Sequence, residues 1–172
     1  WGPKRGDMSL RLLAVGDIHL GRPMTRIPAG VSERVSAAAL GPAGAWETTV
    51  ECACRLEVDA VLLAGDVVDR DDDFFEAYGH LERGVRRLQE AGIRVVGVAG
   101  NHDIAVLPRL ADAIDGFLLL GRGGHWEQTI IHGRTSTTCA CILGWSFPTS
   151  RVDFSPLETP DSRVVDTVAR SP

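Results

Sequence analysis

The feature that most constrains this chain is a pattern that occurs three times. A short apolar run leads into a glycine and then directly into a metal-binding type of side chain, in residues 12–19, 61–69 and 95–103. An apolar run of this length, bounded by a turn residue, predicts a buried strand of a parallel sheet. Parallel strands bring the loops at their carboxyl ends to one sheet edge, where open α/β folds bind their ligands. The pattern therefore predicts one site assembled from three loops.

The stretches between and after these runs predict the remaining elements. Helical periodicity is clearest from Phe74 to Leu88, with a C-cap signal at Gly92. A helix is also predicted over residues 45–57, with shorter ones over residues 31–40 and around Pro108. Further strands are expected over residues 117–120, 126–132 and 137–145. This order predicts an α/β sandwich with a mixed, parallel-centred sheet.

Length and composition fit one domain. The 172 residues are 44% hydrophobic, which suffices for a substantial core. We take residues 8–172 as a single domain, and residues 1–7 as a loose tail or cloning remnant, because Met8 resembles a natural start. No apolar run approaches the ~20 residues of a membrane span and no secretory signal is evident, so a cytoplasmic protein without membrane association is expected. The net charge of -5 argues against a strongly basic surface but leaves room for a local basic groove.

The four cysteines form two Cys-x-Cys pairs, Cys52 with Cys54 and Cys139 with Cys141. Structural zinc sites usually have wider ligand spacing. Free cysteine behaves as a small hydrophobic residue, so we interpret all four as buried, reduced thiols.

Four side chains at the three strand ends are candidate metal ligands. Asp17 and His19 stand two residues apart, so an extended backbone would point both to the same side, where they hold one ion. Asp66 has two carboxylate oxygens and is suited to bridge two ions, while Asn101 offers a neutral oxygen to the second. A single aspartate after a strand is more often a cap or turn former, but the joint pattern favours a metal site.

Other residues near these ligands suit catalysis and substrate binding. Two divalent ions about 3.5–4 Å apart acidify a bridging water and bind phosphoryl oxygens, which permits in-line hydrolysis. His102 would point differently from the ligands and suits protonation of the leaving oxygen. Asp103 is expected either to orient His102 or to cap the turn, and Asp69 to bind loop amides or to orient a ligand. Arg22 and Arg70 are candidate contacts for substrate phosphates.

The three motifs closely resemble those of the calcineurin-like metallophosphoesterases, whose pattern is Asp-x-His, Gly-Asp-x-x-Asp and Gly-Asn-His-Asp/Glu. Here they occupy residues 17–19, 65–69 and 100–103, and the resemblance covers roughly residues 10–145. The extended first motif, residues 16–22, is most similar to the SbcD-type DNA repair nuclease branch. The resemblance implies a hydrolase with the metallophosphoesterase fold.

The resemblance also implies roles, residue by residue. Asp17 and His19 would bind the first metal, Asp66 would bridge, Asn101 would bind the second metal, and His102 would be the catalytic histidine. Mn²⁺ is the expected ion of the nuclease branch, with iron or zinc as alternatives. That branch further implies a DNA substrate, an SMC-like ATPase partner and a homodimer.

The sequence departs from the family at one point. The family takes further metal ligands from a later lone histidine and a Gly-His-x-His motif, and the latter does not occur in this sequence. We therefore expect a C-terminally truncated fragment whose incomplete site holds metal weakly or not at all and whose activity in this form is reduced or absent. The alternative is a natural short protein whose chemistry has lapsed.

Three functions remain open on the sequence. The leading hypothesis is a metal-dependent phosphodiesterase of the DNA repair exonuclease type. A phosphomonoesterase or cyclic-nucleotide phosphodiesterase would use the same metal pair, and a catalytically inactive scaffold would keep only the fold. A groove of exposed arginines would favour a DNA substrate, whereas a tight pocket would favour a small substrate. The candidate arginines are Arg22, Arg26, Arg70 and Arg109.

Overall fold

The computed structural model describes residues 9–22, 40–134, 137–153 and 155–157. The predicted short helix over residues 31–40 lies outside the described residues except for its last position. The described elements are β1 (Leu12–Val15), α1 (Pro42–Leu56), β2 (Ala60–Ala64), α2 (Phe74–Glu90), β3 (Arg94–Val98), α3 (Val106–Ala113), β4 (Phe117–Leu119), a 3₁₀ turn (Arg122–Gly124), β5 (Glu127–His132) and β6 (Cys139–Gly144).

Four of the strands form one parallel sheet in the order β1-β2-β3-β4, and the last two form an antiparallel hairpin. The register places Ala14, Leu62, Val96 and Leu118 side by side across the sheet. Because all four strands run in the same direction, their carboxyl ends meet at one edge. This confirms the predicted α/β fold with a parallel-centred sheet.

The three helices belong to the larger of two hydrophobic clusters, which they share with one face of the sheet. Along α2 the buried residues recur at helical spacing, namely Ala77, Leu81, Val85 and Leu88. Trp46 of α1 is fully buried, and its indole nitrogen donates to the His80 carbonyl at 2.9 Å. Gly84 permits this contact, because a Cβ there would overlap the Trp46 indole. Of the helices within the described ranges, none is long and apolar enough to cross a membrane.

The hairpin covers part of the other sheet face. Its Ile131 is fully buried and joins a second small cluster with Ala60, Val96 and Leu120. The alternate residues of the hairpin point outward, so Cys139 and Cys141 share one face, and that face is exposed. The prediction of buried thiols was therefore wrong for this pair. Cysteine alternates here with alanine and isoleucine, and this pattern does not tell the inner face from the outer one.

Candidate metal centre

The loops after β1 and β2 continue the parallel pairing of those strands beyond their ends. The His19 amide donates to the Asp66 carbonyl at 3.0 Å, and the Leu20 amide donates to the Val67 carbonyl at 2.8 Å. The Asp69 amide returns a hydrogen bond to the Leu20 carbonyl at 2.9 Å. This ladder holds the first two motifs side by side.

Three residues of these loops have left-handed backbone conformations. The φ angles are 53° at Asp17, 55° at His19 and 50° at Asp66. Non-glycine residues rarely adopt this region, and such strain clusters at functional sites. The sequence prediction assumed an extended backbone between the first two of these residues. Their side chains nevertheless come together, with Asp17 Oδ1 3.8 Å from His19 Nε2.

Two glycines allow the second and third loops to approach closely. A Cβ on Gly65, which has a φ of +89°, would lie 3.1 Å from backbone atoms of Gly100. A Cβ on Gly100 would overlap Oδ1 of Asp66. Glycine is therefore required at both positions by the proximity of the loops.

In the part of the chain that the structure describes, two groups of side chains have their potential ligand atoms within 4.8 Å of one another. The first group is Asp17, His19 and Asp66, which are three of the four sequence candidates. The second group is His19, Asp69 and His102, so that His19 belongs to both. Sequence reasoning did not place Asp69 among the ligands. The fourth candidate, Asn101, lies exposed directly after Gly100 at the same edge of the sheet.

An unpaired nitrogen of His19 indicates that these side chains suit a divalent cation. Nδ1 of His19 is buried and lacks a hydrogen-bond partner among the described residues. Oδ1 of Asp69 lies 3.1 Å away, close enough to orient the ring, although the two atoms do not form a hydrogen bond. A buried polar nitrogen without a partner is costly. Imidazole and carboxylate groups around it are ligands that Mn²⁺, iron and Zn²⁺ accept.

His102 is held by the second loop from two sides. Its amide donates to Asp66 Oδ1 at 3.1 Å, and its ring Nδ1 lies 3.1 Å from the Asp69 carbonyl oxygen. The ring also packs edge-on against His19, with a centroid separation of 5.1 Å. Because a carbonyl only accepts, it favours the ring with a proton on Nδ1. The same contact also suits the imidazolium, in which Nε2 carries a second proton.

Asp103 is fully buried, with both oxygens bound to backbone amides. Oδ2 accepts from Val67 at 2.7 Å and from Val68 at 3.2 Å, and Oδ1 accepts from Gly100 at 2.7 Å. Burial raises the pKa of Asp103 to about 6, against the lowering effect of these hydrogen bonds and with a smaller upward contribution from Asp66.

Of the two roles expected for Asp103, orienting His102 or capping the turn, this geometry supports the second. The His102 ring contacts the Asp69 carbonyl instead, and the Asp103 carboxylate caps its own turn and the neighbouring loop. The physical reason is that a strand end, a turn and a second loop leave several amides unpaired in one buried place, and a short carboxylate satisfies three of them.

The calcineurin-like phosphoesterase family model matches residues 10–167. This chain belongs to the calcineurin-like phosphoesterase family. The resemblance found in the three motifs is thereby confirmed at the level of the family.

Several proteins show similarity to this phosphoesterase chain. It is 26% identical over 163 residues to the DNA double-strand break repair protein Mre11 of Methanosarcina mazei, covering 91% of this chain and 24% of that protein. It is 28% identical over 160 residues to Mre11 of Methanosarcina acetivorans, and this match covers 91% of this chain and 24% of that protein. It is 30% identical over 97 residues to the uncharacterized metallophosphoesterase YhaO of Bacillus subtilis, and this match covers 55% of this chain and 23% of that protein.

The chain thus spans about a quarter of the length of these curated relatives. Among solved structures, a dimetal phosphatase from Danio rerio aligns with a TM-score of 0.39 and 18% identity. That alignment covers 62% of this chain and 34% of the other.

The arginines proposed for substrate binding occupy different environments in the phosphoesterase fold. Arg22 is exposed just after the first motif. Arg70 is 76% exposed, with Nε 3.7 Å from Asp69 Oδ2, at the rim of the candidate centre. Arg109 instead lies over the Phe74 ring, 4.8 Å from its centroid, and packs α3 against α2. Arg26 lies outside the described residues.

Proposed function

We propose that this domain is a divalent-metal-dependent phosphodiesterase that acts on DNA. The observation that carries the proposal is the convergence of Asp17, His19 and Asp66, whose potential ligand atoms lie within 4.8 Å of one another. The family match supports phosphoester hydrolysis. The two Mre11 relatives, which are named as DNA double-strand break repair proteins, support DNA as the substrate.

Four side chains would hold the metals, and a fifth would orient one of them. Asp17 and His19 would bind one ion, Asp66 would be shared between two, and Asn101 would bind the second. Asp69 lies 3.1 Å from His19 and would orient that ligand. When bound, a pair of Mn²⁺ ions supplies an acidified water and neutralises phosphoryl oxygens. Iron and zinc suit the same donors.

His102 would supply the proton for the leaving oxygen. Its ring is fixed by the Asp69 carbonyl at 3.1 Å and by edge-on packing against His19. The imidazolium form, with a proton on each ring nitrogen, is able to give up the Nε2 proton to the leaving oxygen and regain one from solvent, while Nδ1 keeps its contact with the carbonyl. Because its side of the site is exposed, a departing alcohol has room to leave.

DNA is proposed as the substrate because positively charged side chains lie at the rim of the candidate metal centre. Arg22 and Arg70 are exposed beside the candidate centre and would bind phosphates on either side of the cleaved bond. For the whole protein, the resemblance further suggests a cytoplasmic homodimer with an SMC-like ATPase partner. A phosphomonoesterase would need a closed pocket for a terminal phosphate. The exposure of these two arginines argues against such a pocket.

The proposal is tested by hydrolysis of bis(4-nitrophenyl) phosphate and of linear DNA in the presence of Mn²⁺. We expect Asp66→Asn to lower both rates by roughly 100-fold or more, since it removes the shared carboxylate. Asp115→Asn makes the same chemical change at an exposed position after α3 and serves as the matched control. Equal rates for the wild type and Asp66→Asn would refute the proposal. Faster hydrolysis of 4-nitrophenyl phosphate than of the diester would favour a phosphomonoesterase.

A further inference from the structure

An open pocket of about 760 Å³ adjoins the candidate metal centre at Asn101. Its other lining residues come from the segment after β6, namely Phe147, Ser150, Arg151, Val152 and Asp153. This volume lies within the range of small-ligand sites. None of these five residues belongs to the three family motifs, so the pocket is a feature of this chain that the motifs do not account for.

The wall of the pocket is anchored to the end of β3. Ser146 is buried, and its hydroxyl accepts from the Ala99 amide at 2.8 Å and donates to the Leu120 carbonyl at 2.6 Å. The Phe147 amide donates to the Ala99 carbonyl at 3.1 Å. The segment therefore begins as a short strand-like addition beside β3, two residues before Asn101.

The ring of Phe147, which lines this pocket, is held by a second aromatic ring. It packs against the Trp145 indole with a centroid separation of 5.2 Å and an interplanar angle of 62°. The indole is itself held by a 2.8 Å hydrogen bond from its nitrogen to the Gly124 carbonyl. Phe147 is half-buried, so one part of its surface packs on the protein and another faces the pocket. A fixed aromatic ring of this kind is a stacking platform that loses little conformational entropy on binding.

The chemistry of the lining indicates a nucleotide. A phenylalanine ring stacks on any base, and the exposed Arg151 guanidinium matches the geometry of a phosphate. Asp153 offers acceptors for the amino or imino groups of a base, while its charge would repel a phosphate placed beside it. We propose that this pocket binds the nucleotide adjoining the cleaved phosphate of a single DNA strand, with Phe147 under the base and Arg151 on the next phosphate. This inference rests on the function proposed above.

The test is binding of a fluorescein-labelled hexathymidylate to the full 172-residue chain in EDTA, measured by fluorescence anisotropy. Phe147→Leu keeps apolar bulk but removes the ring, and we expect it to weaken binding roughly tenfold. Phe147→Tyr keeps a ring and should bind as the wild type does. Arg151→Ala should weaken binding roughly tenfold and flatten the salt dependence. Arg86→Ala removes an exposed arginine of α2 that pairs with Glu82, and it is the matched control for charge.

The outcomes separate this inference from the proposed function. Weaker binding in Phe147→Leu and Arg151→Ala, but not in Arg86→Ala, would support the pocket even if the chain hydrolyses nothing. Equal binding by the wild type and these three variants, or no binding by the wild type, would overturn it even if bis(4-nitrophenyl) phosphate is hydrolysed. Thermal melting of each variant shows whether a loss of binding reflects a loss of fold, and Phe147→Tyr provides the folded reference.

Discussion

Asp71 and Asp103 each bind the backbone of the loop that carries the other. Asp103, in the loop after β3, accepts from the amides of Val67 and Val68 in the loop after β2. Asp71, in the loop after β2, accepts from the amides of Ala105 and Val106 at the start of α3, at 2.8 and 3.0 Å. This exchange ties together the two loops that carry Asp66 and His102, and it explains how a strained set of candidate ligands is held in place.

Replacement of Asp71 should loosen one half of this exchange. Asp71→Ala removes the acceptor for two amides at the start of α3, and we expect a loss of about 1 kcal/mol in the free energy of unfolding. Amide hydrogen exchange at Ala105 and Val106 should quicken. Asp72→Ala, at the exposed neighbouring position, is the control. Unchanged exchange at both amides in Asp71→Ala would contradict this role.

Asp103 should be intolerant even of an isosteric change. Asp103→Asn places an amide group where both carboxylate oxygens now face N–H donors, so at least one buried donor loses its acceptor. We expect the free energy of unfolding to fall by roughly 1–3 kcal/mol, as measured by urea denaturation. Asp115→Asn should leave stability within about 0.5 kcal/mol of the wild type. A similar loss in both variants would mean that the three amide contacts do not matter.

Gly100 should not tolerate substitution even by alanine. A Cβ there would overlap Asp66 Oδ1 and lie 2.6 Å from the Asp66 amide nitrogen. We expect Gly100→Ala to cost roughly 1–3 kcal/mol of stability and to weaken metal binding, because Asp66 must move. In Gly79→Ala the added carbon meets only the flexible end of Arg83 at 3.3 Å, in the middle of α2. That control should gain roughly 0.5–1 kcal/mol. Unaltered metal affinity in Gly100→Ala would contradict the close packing of the two loops.

Replacement of His102 should slow hydrolysis more for a substrate with a poor leaving group than for one with a good leaving group. 4-Nitrophenolate departs without a proton, so His102→Gln should change hydrolysis of bis(4-nitrophenyl) phosphate only slightly. A thymidine dinucleotide releases an alkoxide, and there we expect a fall in kcat of roughly 10²–10⁴-fold. Equal effects on the two substrates would indicate that His102 binds phosphate or metal instead of donating a proton.

The sequence predicted the fold and the meeting of the motifs well, for identifiable reasons. Buried parallel strands are continuous apolar runs, and a parallel sheet brings the loops at the ends of its strands to one edge. The strands before Asp17, Asp66 and Asn101 were therefore recognisable, and the sheet order β1-β2-β3-β4 places their loops together. The family could be recognised because three spaced motifs coincide.

The details that the sequence could not supply depend on contacts between distant residues. The left-handed backbone at Asp17 and His19 is fixed by pairing with the loop after β2, and nothing local specifies it. The burial of Asp103 arises from three amides, two of them more than thirty residues away. Ser146 was missed because one serine in an irregular segment gives no pattern, although it anchors the wall of the pocket beside Asn101.

The most direct test of the metal centre is calorimetric titration of this chain with Mn²⁺, beside Asp66→Asn and Asp115→Asn. Because the sequence lacks the Gly-His-x-His ligands, the proposed centre predicts weak but saturable binding by the wild type and by Asp115→Asn, and its loss in Asp66→Asn. Thermal melting of the same three proteins would show that the fold is kept. Absence of binding by a folded wild type, or equal binding by Asp66→Asn, would contradict the assignment of these loops as a metal centre.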